Sequence, residues 1–337
     1  MTPRVTVVVP TYNRSALLKR AIESALEQTF TDFELIISDN GSTDGTAEIC
    51  AEYAARDARI RFTSQPTNVG PARNFAFVLE AARAPYFMFA AHDDRWEPSF
   101  IARLLAALEA APDAVLAFSR WDAINERGEH VLEFTTDWEA ILSASRFRRL
   151  WAFVTLPERW TLKALFYYGL MRRAIWLEEF TRYNGYDAYA GSDMLMVLAM
   201  ASRGRFAFVP EVLFHNRIRP LKSRQREPVV RYVARRAAGR TPGHRGSALD
   251  MLRRIHRYHG GVRDVVRAVP ALPRAQRLVL VGITVARELR GYLVEFPLAV
   301  ARELGIARPS RLARAAELKG PGNGESGTVI SRAAEEA

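Results

Sequence analysis

The first 120 residues alternate short apolar runs with stretches in which apolar residues recur every three or four positions. Short apolar or β-branched runs that end in polar turn residues predict strands, and the longer periodicity predicts helices. The predicted strands cover residues 5–9, 33–38, 60–63, 86–91, 114–118 and, later in the chain, 206–209. The predicted helices cover about 15–28, 46–55, 71–82, 98–110 and 193–203, and Ser15 is expected to cap the first of them. This alternation indicates an α/β fold with a mostly parallel central sheet flanked by helices.

The pattern also divides the chain. Residues 1–220 form the predicted α/β domain, in which 1–120 are regular and 121–220 are less regular and rich in aromatic residues. Residues 221–319 are rich in arginine and alanine and predict a basic helical extension. Residues 320–337 contain the run GPGNGESG and are expected to be disordered.

Charge is unevenly distributed along the 337 residues, whose formal net charge is +11. Residues 1–215 carry 23 basic and 27 acidic side chains, a net charge of −4. Residues 216–319 carry 24 basic and 7 acidic side chains, a net charge of +17. The basicity therefore belongs to the helical extension, where it alternates with apolar residues as in amphipathic helices.

The same extension holds the longest apolar segment, residues 278–301. Its longest uncharged part is only 278–286, whereas a transmembrane helix needs about 20 apolar residues. The start of the chain lacks a signal-peptide pattern, and Cys50 is the only cysteine, so a cytoplasmic protein is expected. Peripheral contact with an anionic membrane, on the cytoplasmic face of the inner membrane, is a further hypothesis from the charge.

Polar residues follow three of the predicted strands. Thr11, Tyr12 and Asn13 come after the first, Asp39 ends the second, and His92, Asp93 and Asp94 follow 86–91. In open parallel sheets, ligands bind outside the carboxyl ends of the strands. An aromatic ring, an amide and several carboxylates at one sheet edge predict a site for a nucleotide and a metal ion.

Three motifs resemble the family 2 glycosyltransferases, inverting enzymes of the GT-A fold that use nucleotide sugars. They are VVVPTYNRS…QTFTDFELIISDNGSTDGT, FMFAAHDDRWEP and YAGSDMLMVLAMASRGRFAFVPEVLFHNRIRP. The likeness covers roughly residues 4–223, and three ordered motifs are more specific than any one of them. It implies that 1–120 form the nucleotide-sugar-binding half and 121–220 the acceptor-binding half.

The resemblance assigns nucleotide-sugar contacts to several positions. Asp39 would accept a hydrogen bond from base or ribose, Arg73 would lie near the nucleotide, and Arg217 would contact the diphosphate. The segment expected to line the base and ribose pocket comprises Pro10, Thr11, Tyr12 and Asn13. A structural alternative stays open, since this segment, Asp39 and Asp44 are also typical of turns, and Arg217 begins a basic tract.

Asp93 and Asp94 are predicted to bind Mg²⁺ or Mn²⁺, and Asp93 also the donor. A divalent ion with hard oxygen ligands stabilises the charge on a departing diphosphate, and it offsets the repulsion between adjacent acids. The family's usual first acidic position is Ala91 here, with His92 next to it. One ribose or metal contact is therefore either absent or made by His92. The alternative is that both acids only begin a helix.

Asp193 is the predicted catalytic base. It stands at Gly191-Ser192-Asp193 before a helix, where the family carries the carboxylate that takes the acceptor proton. An inverting transfer needs that base opposite the leaving group and within hydrogen-bond reach of the attacking oxygen. Capping of the helix is the structural alternative, and both roles are compatible.

The sequence therefore predicts a metal-assisted inverting glycosyltransferase. Its donor would be a UDP-, dTDP- or GDP-sugar, and its acceptor a glycan or lipid-linked hydroxyl in cell-envelope or exopolysaccharide synthesis. A sugar-phosphate nucleotidyltransferase, an inactive transferase and a non-catalytic nucleotide- or nucleic-acid-binding protein are the alternatives. No nucleic acid is expected as a partner, because specific binding modules are absent and the first 215 residues are slightly acidic.

Overall fold

A computed structural model describes residues 2–133, 138–156, 165–183, 192–218, 248–290 and residue 293. Within these residues the fold is α/β, with one mixed sheet and helices against it. The strands are β1 (Val5–Thr11), β2 (Phe33–Asp39), β3 (Ile60–Ser64), β4 (Tyr86–Phe89), β5 (Arg95–Trp96), β6 (Ala114–Ile124), β7 (His130–Glu133), β8 (Leu170–Arg172) and β9 (Arg205–Arg217). The helices are α1 (Ser15–Leu26), α2 (Thr46–Arg56), α3 (Pro71–Ala81), α4 (Phe100–Ala110), α5 (Glu139–Leu142), α6 (Arg146–Thr155), α7 (Arg173–Arg182), α8 (Ser192–Arg203), α9 (Ala248–Ala268) and α10 (Arg274–Arg290), with a 3₁₀ turn at Phe166–Tyr168.

The strand order is β3-β2-β1-β4-β8-β6-β9-β5, and β7 pairs with β6. Strands β3, β2, β1 and β4 are parallel, with Thr11 opposite Asp39 and Asp39 opposite Ser64. In β1 and β2 the side chains are buried on both faces of the sheet, which explains the mostly apolar runs there, and Thr6 and Glu34 within these runs are buried as well. The parallel arrangement brings the carboxyl ends of these four strands to one edge.

The other half of the sheet departs from the expected parallel pattern. β8 is antiparallel to both β4 and β6, and β5 is antiparallel to β9, although β6 and β9 run parallel. Strands β6 and β9 extend well past the predicted 114–118 and 206–209, because polar residues such as Asp122 and His215 lie inside them. Strand β4 ends at Phe89, two residues before its predicted end.

Aromatic side chains fill the interior between the two halves. Tyr167 stacks on Phe89 with ring centroids 4.4 Å apart, and Trp176 meets both rings edge-on. Phe118 packs edge-on against Phe166 at 4.7 Å. Such pairs contribute beyond their buried area, so the aromatic richness of 121–220 is mainly core packing that joins this half to β4.

The two C-terminal helices belong to the same hydrophobic core. Val265 and Val266 of α9 and Leu280 of α10 are fully buried, α9 packs against α8, and α10 packs against α6. Both helices lie within residues 221–319, where the sequence predicts a basic helical extension. The expected tail, 320–337, lies outside the described residues, as do 219–247. No helix in the described part of the chain is long and apolar enough to cross a membrane.

Asn74 in α3 binds that helix to the end of β2 through hydrogen bonds with Ser38. Its Oδ1 accepts a hydrogen bond from the Ser38 hydroxyl at 2.6 Å, and its Nδ2 donates to the Ser38 carbonyl at 3.1 Å. Both residues are buried. Asn74 is therefore a structural residue, whereas the adjacent Arg73 is exposed in the first turn of α3.

We expect Asn74→Ala to lower the free energy of unfolding by about 1–3 kcal/mol, because it leaves buried Ser38 groups without their partner. Urea-induced unfolding followed by circular dichroism measures this. Arg73→Ala is the matched control, and its transition should overlay that of the wild type. Equal destabilisation by both substitutions would contradict the assignment.

Candidate active site

The loops after β1 and β2 are joined by Asn13. Its backbone N–H donates to Ser42 Oγ at 2.8 Å, and its Oδ1 accepts from the Thr43 N–H at 2.9 Å. Asn13 adopts the left-handed conformation with φ of 50°, which asparagine tolerates better than most residues. This bridge leaves the adjacent Tyr12 41% exposed beside the loop.

Pro10 and Thr11, expected after the first strand, lie inside β1. Thr11 is 3% exposed, and its hydroxyl has no hydrogen-bond partner among the described residues. Of the four residues predicted to line the base pocket, Tyr12 is the one that presents a large accessible surface.

Asp39 lies at the end of β2 and is completely buried. Its carboxylate accepts hydrogen bonds from the Ser42 N–H at 3.0 Å, the Ser42 hydroxyl and the Ser64 hydroxyl at 3.2 Å. In this geometry Asp39 shapes the β2 loop. Its predicted contact with base or ribose stays a prediction.

The expectation that Ser15 caps α1 is wrong. Ser15 is the first residue of the helix, and its N–H and hydroxyl both donate to Asp44 Oδ2, at 3.2 and 3.1 Å. Asp44 also accepts from the Thr46 N–H at the start of α2. Burial raises its pKa, but the hydrogen bonds from Thr46 and Ser15 outweigh that effect and lower the pKa overall. Asp44 therefore joins two helix starts.

The loop between β3 and α3 reaches the same edge. Asn40 Oδ1 accepts from the Val69 N–H at 2.9 Å, and Asn40 Nδ2 donates to Asn68 Oδ1 at 3.0 Å. Gly41 has φ of +70°, and a Cβ there would lie 2.7 Å from the backbone carbon of Thr67. Only glycine fits this approach. Arg73 follows this loop, so it lies at the edge where sequence reasoning expected it.

The turn after β4 carries the acidic pair. Asp94 is 2% exposed, and its Oδ1 accepts from the Arg217 N–H at 2.7 Å and from Asn216 Nδ2 at 3.1 Å. These contacts form because β5, which begins one residue after Asp94, pairs with β9 just before Asn216. The side chain of Asp93 is 22% exposed. Asp93 therefore presents its carboxylate at the surface, whereas Asp94 fixes the turn.

Burial of the Asp94 carboxyl and the neighbouring charge of Asp93 raise the pKa of Asp94 from 3.8 to about 8. The hydrogen bonds from Arg217 and Asn216 counteract this rise only in part. Two adjacent acids whose interaction raises a carboxyl pKa form a site at which a cation is favoured.

Arg14 was not singled out from the sequence. Its Nε donates to His92 Nε2 at 2.7 Å, and its Nη1 donates to the Asn13 carbonyl at 3.0 Å. It thus connects the β1 loop with the acidic turn. His92 Nε2 is engaged by Arg14 in this arrangement, so it is not the atom that replaces the acid missing at Ala91.

Arg217 ends β9 and is 6% exposed. Its Nε donates to the Asp93 carbonyl at 2.7 Å, and its Nη1 donates to the Asn125 carbonyl at 2.6 Å. Burial is the main cause that lowers its pKa, and the nearby Arg20 adds to the effect. Arg217 thus stabilises the acidic turn through hydrogen bonds to backbone carbonyls. Its predicted contact with the diphosphate stays a prediction.

His215, two residues before Arg217, also stabilises β9. Its Nδ1 lies 2.6 Å from Asp122 Oδ1, and its Nε2 lies 2.8 Å from Glu97 Oε1. Both ring nitrogens face carboxylates, which accept hydrogen bonds and donate none. This arrangement is structural and links β6, β9 and the residue after β5.

Asp193 lies in the first turn of α8. Its Oδ1 accepts from the Met194 N–H at 2.8 Å, and burial raises its pKa. The charge of Asp193 also contributes, after burial, to a raised pKa of the Tyr167 phenol. Tyr167 stacks on Phe89 at the end of β4. Asp193 therefore lies near a side chain that packs against the strand before the acidic turn. A carboxylate with a raised pKa is suited to accept a proton.

The acidic turn fits a divalent cation that is shared with a substrate. The described residues hold no group of three or more His, Cys, Asp or Glu side chains able to bind a metal alone. Mg²⁺ usually takes one or two carboxylates and completes its shell with water and substrate phosphates. Asp93 and Asp94 supply that number of carboxylates, and diphosphate oxygens would supply the rest.

Comparison with known proteins agrees with this fold. Residues 6–167 match the family model described as Glycosyl transferase family 2. The match covers just under half of the 337 residues, so it is this N-terminal segment that resembles glycosyl transferase family 2. The matched segment contains β1 to β6, the loops at the sheet edge and the acidic turn.

Two curated relatives have described products or pathways. The chain is 42% identical over 100 residues to chondroitin synthase of Escherichia coli, covering 29% of this chain and 14% of the relative. It is 34% identical over 117 residues to the putative teichuronic acid biosynthesis glycosyltransferase TuaG of Bacillus subtilis, covering 35% of this chain and 45% of that protein. The chain spans less than half the length of the curated relatives it matches.

Among solved structures, S. aureus TarS residues 1–349 in complex with UDP-GlcNAc superpose with a TM-score of 0.58 at 15% identity. The match covers 87% of this chain and 73% of that one. It confirms the predicted GT-A-type α/β fold.

The raised pKa of Asp94 predicts a pH-dependent stability without divalent ions. The unfolded carboxyl ionises near 3.8 and the folded one near 8. Between these values the folded chain holds the extra proton, so the free energy of unfolding falls as pH rises, and it levels off above about pH 8. Asp94→Asn removes this contribution. The thermal midpoint of the variant minus that of the wild type should therefore grow from about pH 5 to about pH 8.

Thermal unfolding in chelator-treated buffer checks this, with Asp113→Asn as a control for an exposed aspartate. A difference between Asp94→Asn and wild type that stays constant over this range would contradict a buried, protonated Asp94.

Proposed function

We propose that this protein is an inverting glycosyltransferase that moves a sugar from a nucleoside-diphosphate donor to a hydroxyl group of an acceptor. The observation that carries the proposal is the meeting of the β1, β2 and β4 ends at one edge, with an acidic pair beside an exposed tyrosine. The family 2 match and the fold shared with a UDP-GlcNAc-binding structure support it.

The donor would lie along this edge. The exposed ring of Tyr12 offers a stacking surface for the base, and the exposed Arg73 offers a positive charge at the same edge. Arg14 lies between the base loop and the acidic turn, where a diphosphate would cross. The donor nucleoside is proposed to be that of a UDP-, dTDP- or GDP-sugar.

The partly exposed Asp93 and the buried Asp94 would together hold a Mg²⁺ or Mn²⁺ ion. When bound, that ion would neutralise charge on the diphosphate as it leaves. The protein would hold the acidic turn in a fixed conformation around that ion. Asp94 and Arg217 stabilise one side of the turn, and Arg14 stabilises its other side through His92.

Asp193 would take the proton of the acceptor hydroxyl as its oxygen attacks the anomeric carbon. A single displacement of this kind inverts the configuration at that carbon. The carboxylate is half-buried in the first turn of a helix, which orients it, and its raised pKa makes it a better base than an exposed aspartate.

The acceptor is proposed to be a glycan or a lipid-linked glycan in cell-envelope or exopolysaccharide synthesis. The names of the two curated relatives, a chondroitin synthase and a putative teichuronic acid glycosyltransferase, support a polymeric product. A lipid-linked acceptor would require the protein to act at a membrane surface.

Asp193→Asn tests the base. Release of nucleoside diphosphate from a panel of UDP-, dTDP- and GDP-sugars with glycan acceptors should fall by about 10²–10⁴-fold in kcat, while the KM for the donor stays nearly unchanged. Asp113→Asn, an exposed aspartate away from the site, should behave as wild type. Proton NMR of the product reports the anomeric configuration, which is expected to be inverted.

Three results would contradict the proposal in different ways. Near-normal turnover of Asp193→Asn would remove Asp193 as the base. Pyrophosphate in place of nucleoside diphosphate would indicate a nucleotidyltransferase. Retained configuration would exclude a single displacement.

A further inference from the structure

Helix α10 presents an apolar face to solvent. Between residues 275 and 289 every exposed position is apolar, and at 3.6 residues per turn these positions form one continuous face. This outer face of α10 consists of Ala275, Leu278, Val279, Gly282, Val285, Ala286 and Leu289.

The exposure of this face is large. Leu278 is 72% exposed, Leu289 49% and Val279 45%. Leu293, four residues beyond Leu289, continues the spacing and is 74% exposed. Contiguous apolar surface of this kind usually marks an interaction site, whereas isolated exposed leucines do not.

Two charged residues near the C-terminal end of α10, Arg287 and Glu288, face the protein instead. Glu288 is buried, pairs with Arg263 and receives His256 Nδ1 at 2.9 Å. Arg287 Nη1 donates to the Thr155 carbonyl of α6 at 2.9 Å. Arg287 and Glu288, the first two charges in the segment 278–301, are thus directed inward and do not interrupt the outer face.

Basic residues border the outer face. Arg274 and Arg290, at the two ends of α10, are both exposed. The helical pair α9–α10, residues 248–290, contains nine arginines and three acidic residues, a net charge of +6.

We propose that the outer face of α10 binds the surface of an anionic lipid bilayer. The 17-residue helix, about 25 Å long, would lie parallel to the surface with Leu278, Val285 and Leu289 inserted among the acyl chain ends. Arg274 and Arg290 would contact anionic headgroups, each strengthening the attraction. The inward polar contacts with α6 and α9 hold the helix in this orientation without the membrane.

Charge decides between a bilayer and a second copy of this chain. Pairing of two outer faces would bring two helical pairs of charge +6 together, in a chain that already carries +11. An anionic bilayer offers the complementary charge as well as an apolar layer. The proposal concerns binding alone, so its failure leaves the transferase assignment unaffected.

Vesicle sedimentation of the full chain tests the proposal. Wild-type protein should bind vesicles of phosphatidylcholine with phosphatidylglycerol and bind pure phosphatidylcholine far more weakly. The triple variant Leu278→Gln/Val285→Gln/Leu289→Gln should lose more than about ten-fold in partitioning, because its apolar insertion is removed. Arg274→Gln/Arg290→Gln should lose about five-fold per arginine. The control Arg83→Gln/Arg127→Gln, two exposed arginines elsewhere, removes the same charge and should lose far less.

Hydrogen exchange of the wild-type protein gives a second readout that needs no variant: residues 275–289 should gain protection on adding anionic vesicles. Absence of binding to anionic vesicles, or equal binding by the triple variant, would overturn the proposal. Light scattering measures the oligomeric state. If the wild-type protein does not bind vesicles and is a dimer that becomes monomeric in the triple variant, the outer face binds a second copy of this chain, and the membrane proposal is overturned.

Discussion

The burial of Asp94 against the end of β9 is the constraint on which the candidate site depends. The Asp94 carboxyl would be unfavourable at this position without the Arg217 N–H and Asn216 Nδ2, and these groups reach it only because β5 pairs with β9. The contact joins the parallel half of the sheet, β1 to β4, to the half that contains β6 and β9. It also holds Asp93 at the surface, where a cation and a diphosphate could meet it.

Much of the parallel half of the sheet could be predicted from the sequence. The strands and helices of residues 5–118 were recognisable because β1 and β2 are buried on both faces and helices such as α4 have one apolar stripe. The positions of Tyr12 and the acidic pair at one edge follow from parallel topology, whereas Arg73 was expected there from the family resemblance. The GT-A-type α/β fold is confirmed by the sheet topology and by the superposition on TarS.

The contacts inside the site were less predictable. Sequence patterns place Asp44, Asp39 and Arg217 near the edge, but they do not show what each residue contacts. In the structure Asp44 binds the starts of two helices, and Asp39 accepts hydrogen bonds from two serines. Arg217 stabilises the acidic turn. Arg14 gave no signal either, since an arginine after Asn13 belongs to no periodic pattern. Such roles arise from loop conformations, for example the left-handed Asn13, that depend on tertiary hydrogen bonds.

The C-terminal helices show the same limit at a larger scale. Composition predicted basic helices, and the charges at residues 287 and 288 argued against a membrane span. The structure directs those charges toward α6 and α9 and directs leucine and valine outward. Which face of an amphipathic helix meets solvent is decided by packing partners, and the one-dimensional pattern does not contain them.

Calorimetric titration of UDP, dTDP and GDP, with and without Mn²⁺, tests the central claim most directly when wild type is compared with Asp93→Asn. We expect one nucleoside diphosphate to bind wild-type protein and Mn²⁺ to tighten that binding about ten-fold or more, because an ion at Asp93 would bridge to the diphosphate. Asp93→Asn should keep the metal-free affinity and lose the Mn²⁺ effect. Binding of none of the three nucleotides, or an Mn²⁺ effect that persists in Asp93→Asn, would contradict the account.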